Sequence, residues 1–302
     1  MKFKILDTQS TYQRMFDAPD DAAREAIFRQ EIAEPFAGVV KIMAGGQDPV
    51  AAFAQWGMTP EQFSEPEREE TRRVFDILNE YNAWEKPAQA LEDARRAFEP
   101  FADRLPSGPL DEIVFGLTIM RKPAWGGDDE GYTGFGGIPG YIMTCYSTPN
   151  DYNLPRIGGA TVHELHHNVR FTLFPFIPGR VTLGDYIVAE GLAEAFAAEL
   201  YGEEVVGFYV TRFDESRLEE TKRIIGAELG LTDFNRMRAF VFGDTVADMS
   251  SMGLEKAGVP AYAGYALGYR AVKAYQAHTG KSIVEATFVP AEEILRESGF
   301  FR

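Results

Sequence analysis

The chain has 302 residues, with 30 Lys and Arg against 46 Asp and Glu, and a net charge of −16. That acidity argues against a nucleic-acid partner, whose phosphates are neutralised by Lys and Arg, and against anionic membrane surfaces. A 45% hydrophobic fraction is too high for a disordered chain. The single cysteine, Cys145, leaves neither a disulfide framework nor a Cys-rich metal site.

The N-terminus reads Met1-Lys2-Phe3-Lys4-Ile5-Leu6-Asp7, with charges inside its first apolar run. No uninterrupted apolar stretch reaches the about 18 residues of a spanning helix. No targeting signal is read, and a cytoplasmic protein is the expectation. Residues 1–105 are expected to form a helical N-terminal region. Asp20-Asp21-Ala22-Ala23-Arg24-Glu25 opens a helix with a capping Asp and acid in the first turn. Ile27, Ile32 and Phe36 fit its stripe only loosely. Gly45-Gly46, Gly57 and Pro60 punctuate short helices. Residues 65–82 are charged on one side and carry Val74, Phe75, Ile77 and Leu78 on the other; residues 87–104 repeat that style.

Pro106-Ser107-Gly108-Pro109 marks a boundary, and residues 106–302 are expected to form a second domain. Residues 113–120 and 141–146 are apolar and strand-like. Residues 121–137, including Gly126-Gly127-Asp128-Asp129-Glu130, read as a solvated Gly-rich loop; their spacing does not match a calcium-binding EF-hand loop. From residue 157 onward the chain reads as mostly helical. The fold class expected is α+β, dominated by helices.

Three of the four histidines lie in His163-Glu164-Leu165-His166-His167. On a helix, positions i and i+4 share a face, so His163 and His167 can put both imidazoles on one metal ion. Glu164 is one step round, where it can reach the attacking water without ligating the metal. Val162, Leu165 and Val169 can pack such a helix into a core. A zinc hydrolase needs a third protein ligand and one open position. Glu190, in Ile187-Val188-Ala189-Glu190-Gly191-Leu192-Ala193-Glu194, is the candidate, on a second helix reached through a turn marked by Pro175, Pro178 and Gly179. Glu194, one turn further, can accept a hydrogen bond from a ligand imidazole. The bland alternative makes both glutamates a solvated helix face. His166 lies off the ligand face, and His278, near a helix C-terminus, suits the macrodipole. Cys145 reads as a small buried hydrophobe.

At these residues the chain resembles the gluzincin metallopeptidases, in which His-Glu-x-x-His is followed by a helix bearing Glu. More narrowly, it resembles the predicted zinc-dependent proteases that include the YjaZ-type bacterial proteins. The likeness rests on the motif through Asn168-Val169-Arg170, on Glu190-Gly191-Leu192-Ala193-Glu194, and on Gly264-Tyr265-Ala266-Leu267-Gly268-Tyr269. It covers roughly residues 110–300. It implies a zincin-like peptidase domain over residues 106–302, with a small sheet packed on the motif helix, one zinc ion per chain, and Glu164 as general base in peptide hydrolysis.

Tyr262, Tyr265 and Tyr269 occupy one helix face. They read either as core or pocket wall, or, by likeness to the Gly-Tyr segment of some zinc oligopeptidases, as groups that touch the substrate. On the second reading Tyr265, then Tyr269, stabilises the oxyanion, with Arg170 and Arg270 as weaker alternatives, and Tyr262 contacts substrate. Peptidases of this type pair substrate with an exposed strand edge. The strand at residues 141–146, with Tyr141 and Met143, is the edge expected here, beside a cleft lined by residues 136–140. The partner expected is a peptide or protein substrate. A zinc hydrolase of a non-peptide amide or ester, and a non-catalytic zinc protein with a binding or chaperone-like role, remain as alternatives. Glu164 counts against the last, because a structural site has no use for a base and favours four protein ligands.

Overall fold

The computed structural model describes residues 1–121, 130–249, 253 and 255–302. The Gly126-Gly127-Asp128-Asp129 part of the expected acidic loop lies outside the described residues. The chain parts into two compact units. One holds Met1–Arg95 and most of residues 107–168; the other holds residues 96–106 and Val169–Arg302. Residues from both sides of the expected 105/106 boundary meet in the first unit, because the N-terminal strand joins the sheet.

In the first unit, strand β1 (Lys2–Ile5) leads into helices α1 (Thr8–Asp17), α2 (Asp21–Phe28), α3 (Ala37–Met43), α4 (Pro49–Gln55), α5 (Arg68–Glu80) and α6 (Lys86–Phe98). Aspartates start three of them. The side chains of Asp7, Asp20 and Asp48 accept from the N–H groups of Ser10, Ala23 and Ala51 at 3.1, 2.8 and 3.1 Å, satisfying donors that a helix start leaves open. After α2 the chain passes through a π turn (Arg29–Ala33) and a 3-10 turn (Glu34–Phe36). That change of winding buries Ile32 and Phe36 and explains why they fit an α-helical stripe so loosely. Helix α5 buries Val74, Phe75 and Leu78 as its pattern predicts.

The sheet has four strands in the order β1-β2-β4-β3, where β2 is Glu112–Ile119, β3 Tyr132–Phe135 and β4 Tyr141–Tyr146. The β1–β2 and β2–β4 pairs are parallel, and β3 runs antiparallel to β4 with Tyr132 opposite Tyr146. The inner strands β2 and β4 are buried nearly throughout, as strands covered on both faces are. Two expectations change here. The tract 121–137 is not all loop, since β3 lies within it. The strand at residues 141–146 is not an exposed edge either: it is flanked by β2 and β3, so among the described residues the sheet ends at β1 and β3. Helix α7 (Ile157–Leu173) then carries the histidine motif.

The second unit is helical: α8 (Leu183–Tyr201), α9 (Phe208–Thr211), α10 (Leu218–Ala227), α11 (Phe234–Phe242), α12 (Asp244–Met249), α13 (Ala263–Thr279), α14 (Ile283–Ala286) and α15 (Ala291–Ser298). Leu183, Ile187, Ile225, Met237, Val241 and Leu267 form its core, each fully buried side chain contributing about 1.5–3 kcal/mol. Helix α8 is buried nearly all round and starts at a capping box in which Thr182 and Asp185 bond each other's backbone N–H groups at 3.1 and 2.9 Å. Its contact with α13 is backbone to backbone. A Cβ on Gly191 would come within 2.8 Å of the Tyr269 nitrogen and closer still to the Gly268 carbonyl; one on Gly268 would come within 2.8 Å of the Ile187 carbonyl carbon. The protein is therefore α+β and mostly helical, with one small mixed sheet. No described helix is long and apolar enough to cross a membrane.

Candidate metal centre

Helix α7 presents His163 and His167 one turn apart. Their rings lie 4.7 Å apart at 81°, and the side chains are buried, as are Glu164 and Glu190. Apolar Val162, Leu165 and Val169 are buried too, which packs the helix along its flanks. His166, off the ligand face, is fully buried. The candidate ligand atoms of His163, His167 and Glu190 all lie within 4.8 Å of one another.

The donor set fits zinc. Two imidazoles and one carboxylate supply nitrogen and oxygen ligands of the kind found in catalytic zinc sites, with a fourth position left open. Tetrahedral bonds of about 2.0–2.1 Å hold donors about 3.3 Å apart, so a set already within 4.8 Å needs only small torsions to close. The Glu190 charge is felt locally: burial first, and then Glu190, pushes the Tyr186 phenol above its ordinary pKa.

Glu164 sits against the sheet's edge strand. A Cβ on Gly134 of β3 would come within 2.7 Å of the Glu164 carboxyl carbon, and one on Gly136 within 2.8 Å of its backbone carbonyl carbon. Asn168, four residues on and fully buried, ties the same segment down. Its amide donates to the carbonyls of Gly136 (2.8 Å) and Tyr141 (3.0 Å), and its oxygen accepts from the Gly140 N–H (2.7 Å). Asn168 carried no assigned role in the sequence. Its signal is weak, because a polar residue at i+4 from Glu164 reads equally as a solvated position.

Glu194, one turn beyond Glu190, is buried. One carboxylate oxygen accepts from the Gly207 N–H and the other from the Tyr209 hydroxyl at 2.7 Å. Nothing local in the sequence links Tyr209 to α8. Its ring belongs to an aromatic group with Tyr265 (4.8 Å), Tyr262 (6.4 Å) and Phe208 (5.4 Å). Tyr262 precedes α13 with a left-handed φ of 56°, a conformation costly for a bulky residue. The Tyr269 hydroxyl donates to Glu203, and burial followed by that bond pushes its pKa far up.

The glycines of the Gly264–Tyr269 segment are packing positions. Gly264 meets Val241 and Ile187, and Gly268 meets Ile187. Arg170 is buried and donates to the carbonyls of Thr287 (2.8 Å) and Val289 (2.7 Å); burial lowers its pKa to about 10. Arg270 pairs with Glu215. Met143 is buried inside the sheet. Tyr141 packs on the start of α3, its ring 6.1 Å from Phe36 and its hydroxyl in the space a side chain at Gly38 would fill. His278 closes α13 with Nδ1 3.2 Å from the Glu297 carbonyl. Cys145 is buried, which pushes its thiol up to about 11.

Residues 111–296 match the family described as "Predicted Zn-dependent protease (DUF2268)". The chain is also similar to "Uncharacterized protein YjfC" of Bacillus subtilis (strain 168), at 36% identity over 310 residues, covering 100% of this chain and 99% of the relative. The chain belongs to the family of predicted Zn-dependent proteases. No solved structure matches it.

Proposed function

We propose that this protein is a zinc-dependent peptidase with a zincin-like active site. The observation that carries the reading is the meeting of His163, His167 and Glu190 with Glu164 held against an edge strand. The sheet against α7, with Asn168 clamping residues 136–141 to that helix, supports the zincin-like assignment. His163, His167 and Glu190 hold the metal. Zinc bound there would polarise a carbonyl and bring the pKa of a water down towards about 7.

The chain's own groups do the rest. Glu164 takes the proton of the attacking water and passes it to the leaving amine. Among the described residues strand β3 is the outermost on its side of the sheet, the edge at which an extended substrate chain would pair beside Glu164. Tyr265 is the better candidate for stabilising the oxyanion, because the Tyr269 hydroxyl is engaged with Glu203. Glu194, held by Gly207 and Tyr209, steadies α8 one turn from Glu190.

A peptide-library digest of wild type and Glu164→Gln tests this. Wild type with zinc cleaves a definable subset of peptides, and Glu164→Gln keeps its zinc and cleaves none of them. Cleavage at wild-type rates by Glu164→Gln removes the base assignment; a zinc-loaded wild type that cleaves nothing removes the peptidase.

A further inference from the structure

Gly134 is occupied space rather than a flexible joint. It lies in β3 opposite Thr144 of β4. Neither it nor Gly136 is among the glycines with positive φ, so the backbone does not demand glycine at either position. What demands it is volume. A Cβ on Gly134 would come within 2.8 Å of Glu164 Cγ and 2.7 Å of Cδ, and closer still to Oε1. Residues 134 and 136 face the same way along an extended chain, and a Cβ on Gly136 would meet the Glu164 backbone, with the carbonyl carbon at 2.8 Å and Cα at 2.9 Å. The two glycines therefore do different things. Gly136 lets the main chain of α7 approach the hairpin. Gly134 leaves a seat that the Glu164 side chain fills.

We infer that Gly134 is a positioning residue for Glu164: its missing side chain is the seat that holds the carboxylate under the edge strand. The inference rests on the base role proposed for Glu164, but its geometric content stands apart from that role. Side-chain torsions of Glu164 are soft, so an added methyl at position 134 displaces the carboxylate in preference to unfolding the sheet. A displacement of about 1 Å at a reacting group can cost about 100-fold in rate.

The test is a double-mutant cycle with two readouts. In metal-free protein, Gly134→Ala lowers Tm by about 2–6 °C when Glu164 is present, and leaves it unchanged or raises it when Glu164→Ala has emptied the seat. Gly136→Ala, which meets backbone, lowers Tm in both backgrounds. Equal shifts from Gly134→Ala in both backgrounds overturn the inference. On a peptide that wild type cleaves, Gly134→Ala lowers kcat at least 10-fold, with KM and zinc content within 2-fold of wild type. Wild-type kcat in Gly134→Ala also overturns it. If wild type cleaves no peptide, the proposed function fails and the Tm cycle still decides where the carboxylate sits.

Discussion

The two helices that carry the candidate ligands are held by different physics. Helix α7 is fixed by directed polar contacts: Asn168 makes three hydrogen bonds to residues 136, 140 and 141, and the hairpin glycines leave room for Glu164. Helix α8 is fixed by close packing: Gly191 and Gly268 let its backbone meet that of α13, and apolar residues surround it. A strand-to-helix contact sets the base by hydrogen-bond geometry, and a helix-to-helix contact sets Glu190 by backbone distance.

The sharpest way to break this contrast is Gly268→Ala. In an open helix, Ala in place of Gly stabilises by about 1 kcal/mol. Here the methyl would meet the Ile187 carbonyl, so the sign reverses to a loss of about 3 kcal/mol, read from urea unfolding; a stabilised variant removes the packing account of α8. Asn168→Ala is next. It strips partners from one buried N–H and two carbonyls and costs about 2 kcal/mol by the same measurement. An effect below about 0.5 kcal/mol, the range of ordinary surface changes, shows that the clamp does not hold α7. Smallest is Tyr209→Phe, which removes one hydroxyl from Glu194 and costs about 1 kcal/mol. Its zinc affinity is expected to fall by roughly 10-fold, measured by competition with a chelator; unchanged affinity separates Glu194 from the metal centre.

Much of this was legible in the sequence where the signal is local. His163 and His167 stand one helical turn apart, and Glu190 is a charge among Val188, Ala189 and Leu192, so helical geometry alone brought them to notice. The capping aspartate Asp20, the strands at residues 113–120 and 141–146, and the helical first hundred residues were equally local. The rest depends on distance in space. Strand β3 is four residues long and holds a glycine, so its pattern cannot be told from the surrounding loop; it exists because β4 pairs with it. That pairing also moves the sheet edge from β4 to β3. The roles of Tyr209 and Asn168 depend on groups 15 and 32 residues away, at Glu194 and Gly136, which no spacing rule connects. In the Gly-Tyr segment the tyrosines carry the chemical signal, yet its glycines are what α8 requires.

The central claim is that His163, His167 and Glu190 hold one zinc ion. Zinc content after removal with a chelator, equilibration with a small excess of zinc and desalting tests it most directly, measured by elemental mass spectrometry on wild type, His163→Ala and His167→Ala. The account predicts about one zinc per wild-type chain and none retained by either folded variant. A folded wild-type chain that takes up no zinc, or a variant that holds zinc as tightly as wild type, contradicts it.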